Sequence, residues 1–152
     1  MNKSNILPRH ENYELPVSAY GKGCYIFDVN GKKYLDGSCG AAVSCLGHSD
    51  NSVKEAIIKQ TEKLAFAHTS FFTSEPAEKL AQILSQNSPK ELDKVYFVSS
   101  GSEAVEASLK LAKQYFNEIG KPEKHKVISR RQSYHGNTLG ALAAGGNVWR
   151  RS

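Results

Sequence analysis

The segment Val95-Tyr-Phe-Val-Ser-Ser-Gly-Ser-Glu-Ala104 runs from an apolar, strand-like stretch through small residues into a helical pattern. The first N–H groups of a helix have no acceptor within it, and the macrodipole makes that end positive. Gly101 lacks a Cβ and leaves the backbone open to a ligand, while Ser100 and Ser102 add hydroxyl donors. Together these make a turn fit for a phosphate. The segment is neither Gly-x-Gly-x-x-Gly nor a Walker pattern, and an ordinary strand-to-helix turn with a serine N-cap would use the same residue types. One strand–helix unit later comes Ser133-Tyr-His-Gly136. Tyr134 could lie flat on a planar ring, His135 could donate a hydrogen bond, and Gly136 would let the backbone come close. The alternative is a surface loop whose tyrosine packs on its own domain. Taken together on one sheet edge, the two sites suit a phosphate ester that carries an aromatic ring.

Several elements must position them. Residues 1–20 read as an extended arm in which Pro8 and Pro16 bar a helix. Residues 23–29 and 32–36 flank Asn30-Gly31, which predicts a hairpin with both turn residues at positive φ. Residues 37–47 are small and glycine-rich, a loop. Ser52-Val-Lys-Glu55 has capping-box spacing, and Val53, Ala56, Ile57, Gln60 and Leu64 keep a helical period. A second helix is expected from Ser74, with Pro76 in its first turn and Asn87-Ser-Pro89 at its end. A buried strand at 95–98 leads to a long helix with Val105, Leu109, Ala112 and Phe116 on one face, stopped at Gly120 and Pro122. A further strand at 126–129 leads to a helical stretch from Thr138. Strand and helix in alternation imply an α/β class with a parallel sheet and right-handed crossovers. Only two of its strands are legible, so the chain reads as the opening of a larger domain.

Composition narrows the function classes. The chain has 152 residues, a formal charge of +5 and 39% hydrophobic residues. No apolar run approaches the ~18 residues of a membrane span, and the N-terminus has no apolar core of a secretory signal. Residues 121–152 carry seven basic residues against one acidic, while the rest is nearly balanced. No nucleic-acid motif accompanies that charge, so a solvated segment is expected rather than a nucleic-acid site. Cys24, Cys39 and Cys45 are odd in number and lack a Cys-x-x-Cys pair, which suits reduced thiols and a cytoplasmic chain. His48 and His68 have no partners at metal-ligand spacing, so both read as structural and no metal is expected.

Four motifs, in order from about Gly23 to Gly146, carry a resemblance. These are Asp28-Val-Asn-Gly-Lys-Lys-Tyr-Leu-Asp36, Leu46-Gly-His48, Val98-Ser-Ser-Gly-Ser-Glu-Ala104 and Tyr134-His-Gly-Asn-Thr138. The chain resembles the N-terminal part of class III aminotransferases, pyridoxal-phosphate enzymes with the aspartate aminotransferase fold. The resemblance implies an arm and hairpin over 1–46, part of the small domain, and a truncated N-terminal portion of the cofactor-binding large domain over 47–152. It implies a phosphate held by Gly101 and Ser102, with Ser100 at the turn, and a pyridine ring under Tyr134 with His135 and Gly136 in support. Glu103 suits the helix dipole rather than the cofactor, whose phosphate it would repel. Ala41 and Ala42 fall where some relatives line the substrate pocket with bulky residues, and Phe72, next to Phe71, lies in a loop that in relatives approaches the neighbouring subunit's active site. A pair buried in its own domain is the equal alternative for the two phenylalanines.

The implied reaction moves an amino group from a small-molecule donor to an oxo acid or aldehyde, in an enzyme that is a homodimer when complete. The lysine that binds the cofactor covalently and the aspartate that pairs with its ring nitrogen have no match in this sequence, so no catalytic residue is assigned and the chain alone is expected to be inactive. A non-catalytic truncated product, one half of a split enzyme, and the family's aminomutase, racemase and decarboxylase chemistries remain open. So does a nucleotide-binding α/β protein that uses residues 99–103 as its phosphate turn.

Overall fold

The computed structural model describes residues 4–7, 9 and 12–151. Pro8 lies outside the described residues, so the arm is described only in part. The chain divides into two compact units, Met1–Thr73 and Ser74–Ser152.

The first unit is built on a three-stranded antiparallel sheet: β1 (Ser18–Lys22), β2 (Tyr25–Asp28) and β3 (Lys33–Leu35), in the order β1-β2-β3. The end of the expected arm is thus a strand, folded back through Gly23 at φ +58°. Tyr20 stacks on its cross-strand partner Phe27 with ring centroids 4.6 Å apart, a cross-strand pair of the kind that stabilises sheets. The β2–β3 hairpin forms where Asn30-Gly31 predicts it, but its turn differs from the expectation. Only Gly31 has positive φ, at +79°, and the connection is the longer one that closes with a single left-handed residue. The cause is Asp28, whose Oδ1 accepts the N–H groups of Asn30 and Lys32, each at 2.9 Å, and whose Oδ2 accepts the Tyr34 hydroxyl at 2.9 Å. The carboxylate stands in for backbone acceptors and fixes the loop.

After β3 comes α1 (Cys39–Ala42), a single turn of left-handed rather than right-handed sense, and then α2 (Asn51–Lys63). The cap of α2 is Asp50, which accepts the Val53 N–H at 3.0 Å, so the helix begins two residues earlier than the Ser52 box predicts.

The second unit holds α3 (Glu75–Gln86), α4 (Gly101–Glu118), α5 (Leu139–Ala144) and α6 (Val148–Arg151). α3 starts directly after Ser74 with Pro76 in its first turn, as the sequence predicts, though the Ser74 side chain makes no capping hydrogen bond. Gly120, at φ +72°, ends α4 in a Schellman motif: Lys121 N–H bonds the Phe116 carbonyl at 2.8 Å and Gly120 N–H that of Asn117 at 3.0 Å. Residues 95–98 and 126–129 pair with no neighbour among the described residues, and Ile128 is 99% exposed. A strand is held by the N–H and C=O groups beside it, and neither run has them here. Ala141 is the one hydrophobic side chain fully buried among the described residues.

Candidate functional site

The N-terminus of α4 is open. Ser100 caps the helix by accepting the Glu103 N–H at 3.1 Å, and the Glu103 carboxylate turns back to accept the Ser99 N–H at 2.8 Å. This pairing resembles a capping box, and it occupies Glu103 away from any ligand. Among the described residues, no acceptor takes the N–H groups of Gly101 or Ser102. A Cβ built on Gly101 would meet no atom within 4 Å, so the space beside these two donors is free. Two unpaired amides at the positive end of an 18-residue helix, with room in front, can bind an anion.

The second predicted segment is tied to this helix end from within the same unit. Ser102 Oγ accepts the Asn137 N–H at 2.9 Å, which leaves its own hydroxyl proton free to donate. Gly136, buried and at φ +138°, sits against Ser102 so closely that a Cβ there would come within 2.8 Å of the Ser102 Cα. One turn along α4, Glu106 Oε2 accepts the Thr138 hydroxyl at 2.6 Å, and the same hydroxyl oxygen accepts the Ala141 N–H at 3.2 Å. Gly140 lies over the Glu106 carboxylate, where any Cβ would collide with Oε2. The structure thus brings Ser100, Gly101 and Ser102 together with the loop of Tyr134, His135 and Gly136. Asn137, Thr138 and Glu106 make the join, and no local pattern in the sequence announces that role.

Tyr134 is 61% exposed, and the Arg150 guanidinium lies over its ring at 5.1 Å, a cation–π contact. The ring is not packed into its own unit. His135 Nε2 is buried without a hydrogen-bond partner among the described residues. An unsatisfied buried polar atom costs about 1–3 kcal/mol, so this nitrogen is suited to an acceptor or donor supplied from outside these residues. The free amides, the open space at Gly101 and the orphaned imidazole nitrogen fit a phosphate ester with a flat ring.

In the first unit, the predicted substrate residues Ala41 and Ala42 lie in the left-handed turn. Cys39, Gly40, Ala41 and Ala42 have φ of +49°, +58°, +60° and +69°. For residues with a Cβ this conformation costs about 1–2 kcal/mol each, and strain of this kind collects at functional sites. Asp36 and His48 flank the turn, with His48 Nε2 2.9 Å from Asp36 Oδ2. Burial alone would raise the Asp36 pKa, but hydrogen bonds from His48, Ser44 and the Cys39 N–H outweigh it and hold the carboxyl below its ordinary value. Phe71 and Phe72 are 78% and 67% exposed on a turn whose N–H groups both bond the His68 carbonyl at 3.0 Å. Neither ring is buried in its own unit. No group of three or more metal-ligating side chains forms among the described residues, and no helix among them is long and apolar enough to cross a membrane.

The family model described as aminotransferase class-III matches residues 7–150. The chain is 48% identical over 136 residues to an uncharacterised aminotransferase, YodT, of Bacillus subtilis, covering 90% of this chain and 31% of that protein. It is 38% identical over 146 residues to the acetylornithine aminotransferase of Clostridium acetobutylicum, covering 96% and 37%. Among solved structures, an (S)-enantioselective omega-transaminase from Thermomicrobium roseum superposes with a TM-score of 0.89 at 35% identity, covering 97% of this chain and 34% of that one. An omega-transaminase of Pseudomonas jessenii in complex with PMP gives 0.90 at 30% identity, covering 97% and 34%. The chain spans about a third of the length of these relatives.

Proposed function

Because the chain belongs to the class-III aminotransferase family, we propose that its residues form the N-terminal third of a pyridoxal-phosphate-dependent enzyme that transfers an amino group from a small-molecule donor to an oxo acid or aldehyde. When bound, pyridoxal phosphate supplies an aldehyde that takes up the amino group and a ring that accepts the electrons of the broken bond. The observation that carries the proposal is the unpaired amide pair of Gly101 and Ser102, joined through Ser102 Oγ to the Tyr134–Gly136 loop.

Each residue then has a task. Gly101 and Ser102 hold the phosphate through their N–H groups, and the Ser102 hydroxyl adds a third donor while its oxygen keeps the loop in place. Ser100 fixes the helix end and Glu103 stays on Ser99, so no carboxylate competes with the phosphate. Tyr134 covers the ring, His135 offers its unpaired Nε2, and Gly136 permits the close approach of loop to helix. Ala41 and Ala42 leave room for the substrate side chain, and Phe72 faces the neighbouring subunit of a homodimer. In that enzyme residues 1–46 belong to the small domain and 47–152 to the large one. Three free thiols support a reducing compartment, the cytoplasm. The lysine and aspartate of the reaction lie outside these residues, so the 152-residue chain by itself does not transaminate.

The test joins this chain to the matching C-terminal part of the Bacillus subtilis relative and assays transamination. Ser102→Ala should weaken retention of pyridoxal phosphate by about tenfold, the scale of one charge-assisted hydrogen bond. Ala42→Trp should narrow the range of accepted substrates. Retention unchanged in Ser102→Ala would remove the phosphate assignment, and an unchanged substrate range in Ala42→Trp would remove the pocket assignment.

A further inference from the structure

The turn at 39–42 is left-handed at three residues that carry a Cβ, so something outside it must hold it. One carboxylate grips both of its ends. Asp36 Oδ1 accepts the Cys39 N–H at 3.0 Å and the Ser38 hydroxyl at 3.4 Å on the entering side. Asp36 Oδ2 accepts the Ser44 hydroxyl at 3.3 Å on the leaving side, and His48 Nε2–H at 2.9 Å. Both partners are anchored on the hairpin. Asp36 N–H bonds the Cys24 carbonyl at 2.9 Å, and His48 N–H bonds the Gly23 carbonyl at 2.9 Å. The His48 side chain lies against Gly21, where any Cβ would collide with it, and a Cβ at Gly47 would come within 2.8 Å of the Gly23 carbonyl oxygen. The side chains are mostly enclosed, with Asp36 11% and His48 23% exposed.

We propose that Asp36 and His48 are positioning residues that clamp residues 38–44 in the left-handed turn and thereby set where Ala41 and Ala42 stand. The consequence for substrate choice rests on the reading of those alanines as pocket residues; the clamp itself rests on the geometry above. His48 is the bolt: it fixes one oxygen of a carboxylate whose other oxygen holds the start of the turn. Without it, the Asp36 carboxylate keeps only the short tethers to Ser38, Cys39 and Ser44, all of which lie within residues 38–44.

The test follows amide hydrogen exchange in the full 152-residue chain. Val43 and Ser44 report the turn, since their N–H groups bond the Cys39 carbonyl at 2.7 and 2.9 Å, and Val29, bonded to the Val17 carbonyl at 2.9 Å, reports the sheet. His48→Ala should speed exchange at Val43 and Ser44 at least tenfold, leave Val29 within twofold, and turn φ negative at Ala41 and Ala42 by three-bond coupling. His48→Gln, whose side-chain amide can still donate to Asp36, should restore all three. Exchange at Val43 and Ser44 within twofold of the parent, equal acceleration at Val29, or failure of Gln to restore the turn each overturns the clamp. A turn that collapses in His48→Ala beside an unchanged substrate range in Ala42→Trp supports the clamp and overturns the pocket reading alone.

Discussion

Two glycine substitutions separate holding the cofactor from holding the fold. At Gly136 an added Cβ would stand 2.8 Å from the Ala141 Cβ and from the Ser102 Cα, and 3.0 Å from Ser102 Oγ. Carbon atoms prefer about 3.5–4.0 Å, so in Gly136→Ala the loop must retreat from α4 by roughly 0.7–1.2 Å. That movement breaks the 2.9 Å bond from Asn137 to Ser102 and carries Tyr134 with it. Overpacking of this kind costs about 1–3 kcal/mol, and φ +138° adds backbone strain for any residue with a Cβ. If half of that cost falls on the bound state, affinity drops by about twofold to twelvefold. Gly101→Ala is the contrast. Its Cβ meets nothing within 4 Å and its φ is not positive, so the fold accepts it, and alanine is the better helix former. The same Cβ would stand on the residue that offers one of the two free amides, and should crowd a phosphate held there. Isothermal titration with pyridoxal phosphate should show both variants weakened, while urea unfolding shows only Gly136→Ala destabilised. Gly101→Ala with parental affinity refutes the assignment of the phosphate to the α4 terminus.

Asp28, Asp36 and Asp50 are all held below their ordinary value of 3.8: in Asp28 bonds from Lys32, Tyr34 and Asn30 overcome burial, and in Asp50 the Ser52 hydroxyl leads. A depressed carboxylate stabilises the fold above its unfolded pKa and loses that contribution as pH falls through the folded one, so circular dichroism of the chain should show unit one melting below about pH 4. Asp28→Asn should lower its stability at neutral pH and flatten this acid limb; an unaltered limb would count against Asp28 as its source. Large apolar side chains stand exposed within each unit, among them Ile57 at 62%, Leu111 at 68% and Ile128 at 99%. The urea m-value, which follows the surface uncovered on unfolding, should therefore fall below that of an ordinary domain of this size, and an ordinary m-value would show that the apolar faces are covered. Pyridoxal phosphate mixed with the chain and then dialysed should leave no protein-bound chromophore; a band that persists, and disappears when one lysine is replaced, contradicts the absence of the reaction's lysine.

Much of this was legible in the residues because it is local. Ser74 with Pro76, Ser100 with Glu103, and Gly120 announce the ends of α3 and α4, since caps and left-handed stops depend on a few neighbours. The family membership was legible for the same reason, in four short motifs. Asn30-Gly31 marks the place of the turn but not its type, because Asp28 supplies side-chain acceptors that a dipeptide rule ignores. The left-handed run at 39–42 was not legible, since alanine and cysteine avoid that region unless something distant holds them. His48 looked structural without a partner in view, and the partner, Asp36, is twelve residues away. Glu106 and Thr138 meet across 32 residues, a separation no periodicity encodes. The runs 95–98 and 126–129 are strand-like in composition, but strand pairing belongs to the neighbour as much as to the segment.

The most direct measurement is a ¹⁵N-edited titration of the labelled chain with pyridoxal phosphate, with pyridoxal as the phosphate-free control. The amides of Gly101 and Ser102 should shift first and most, the Tyr134 and Asn137 amides should move with the same affinity, and pyridoxal should leave the two α4 amides in place. Shifts of Gly101 and Ser102 that pyridoxal reproduces, or that fail to appear while other amides respond, contradict the assignment of the phosphate to the α4 terminus.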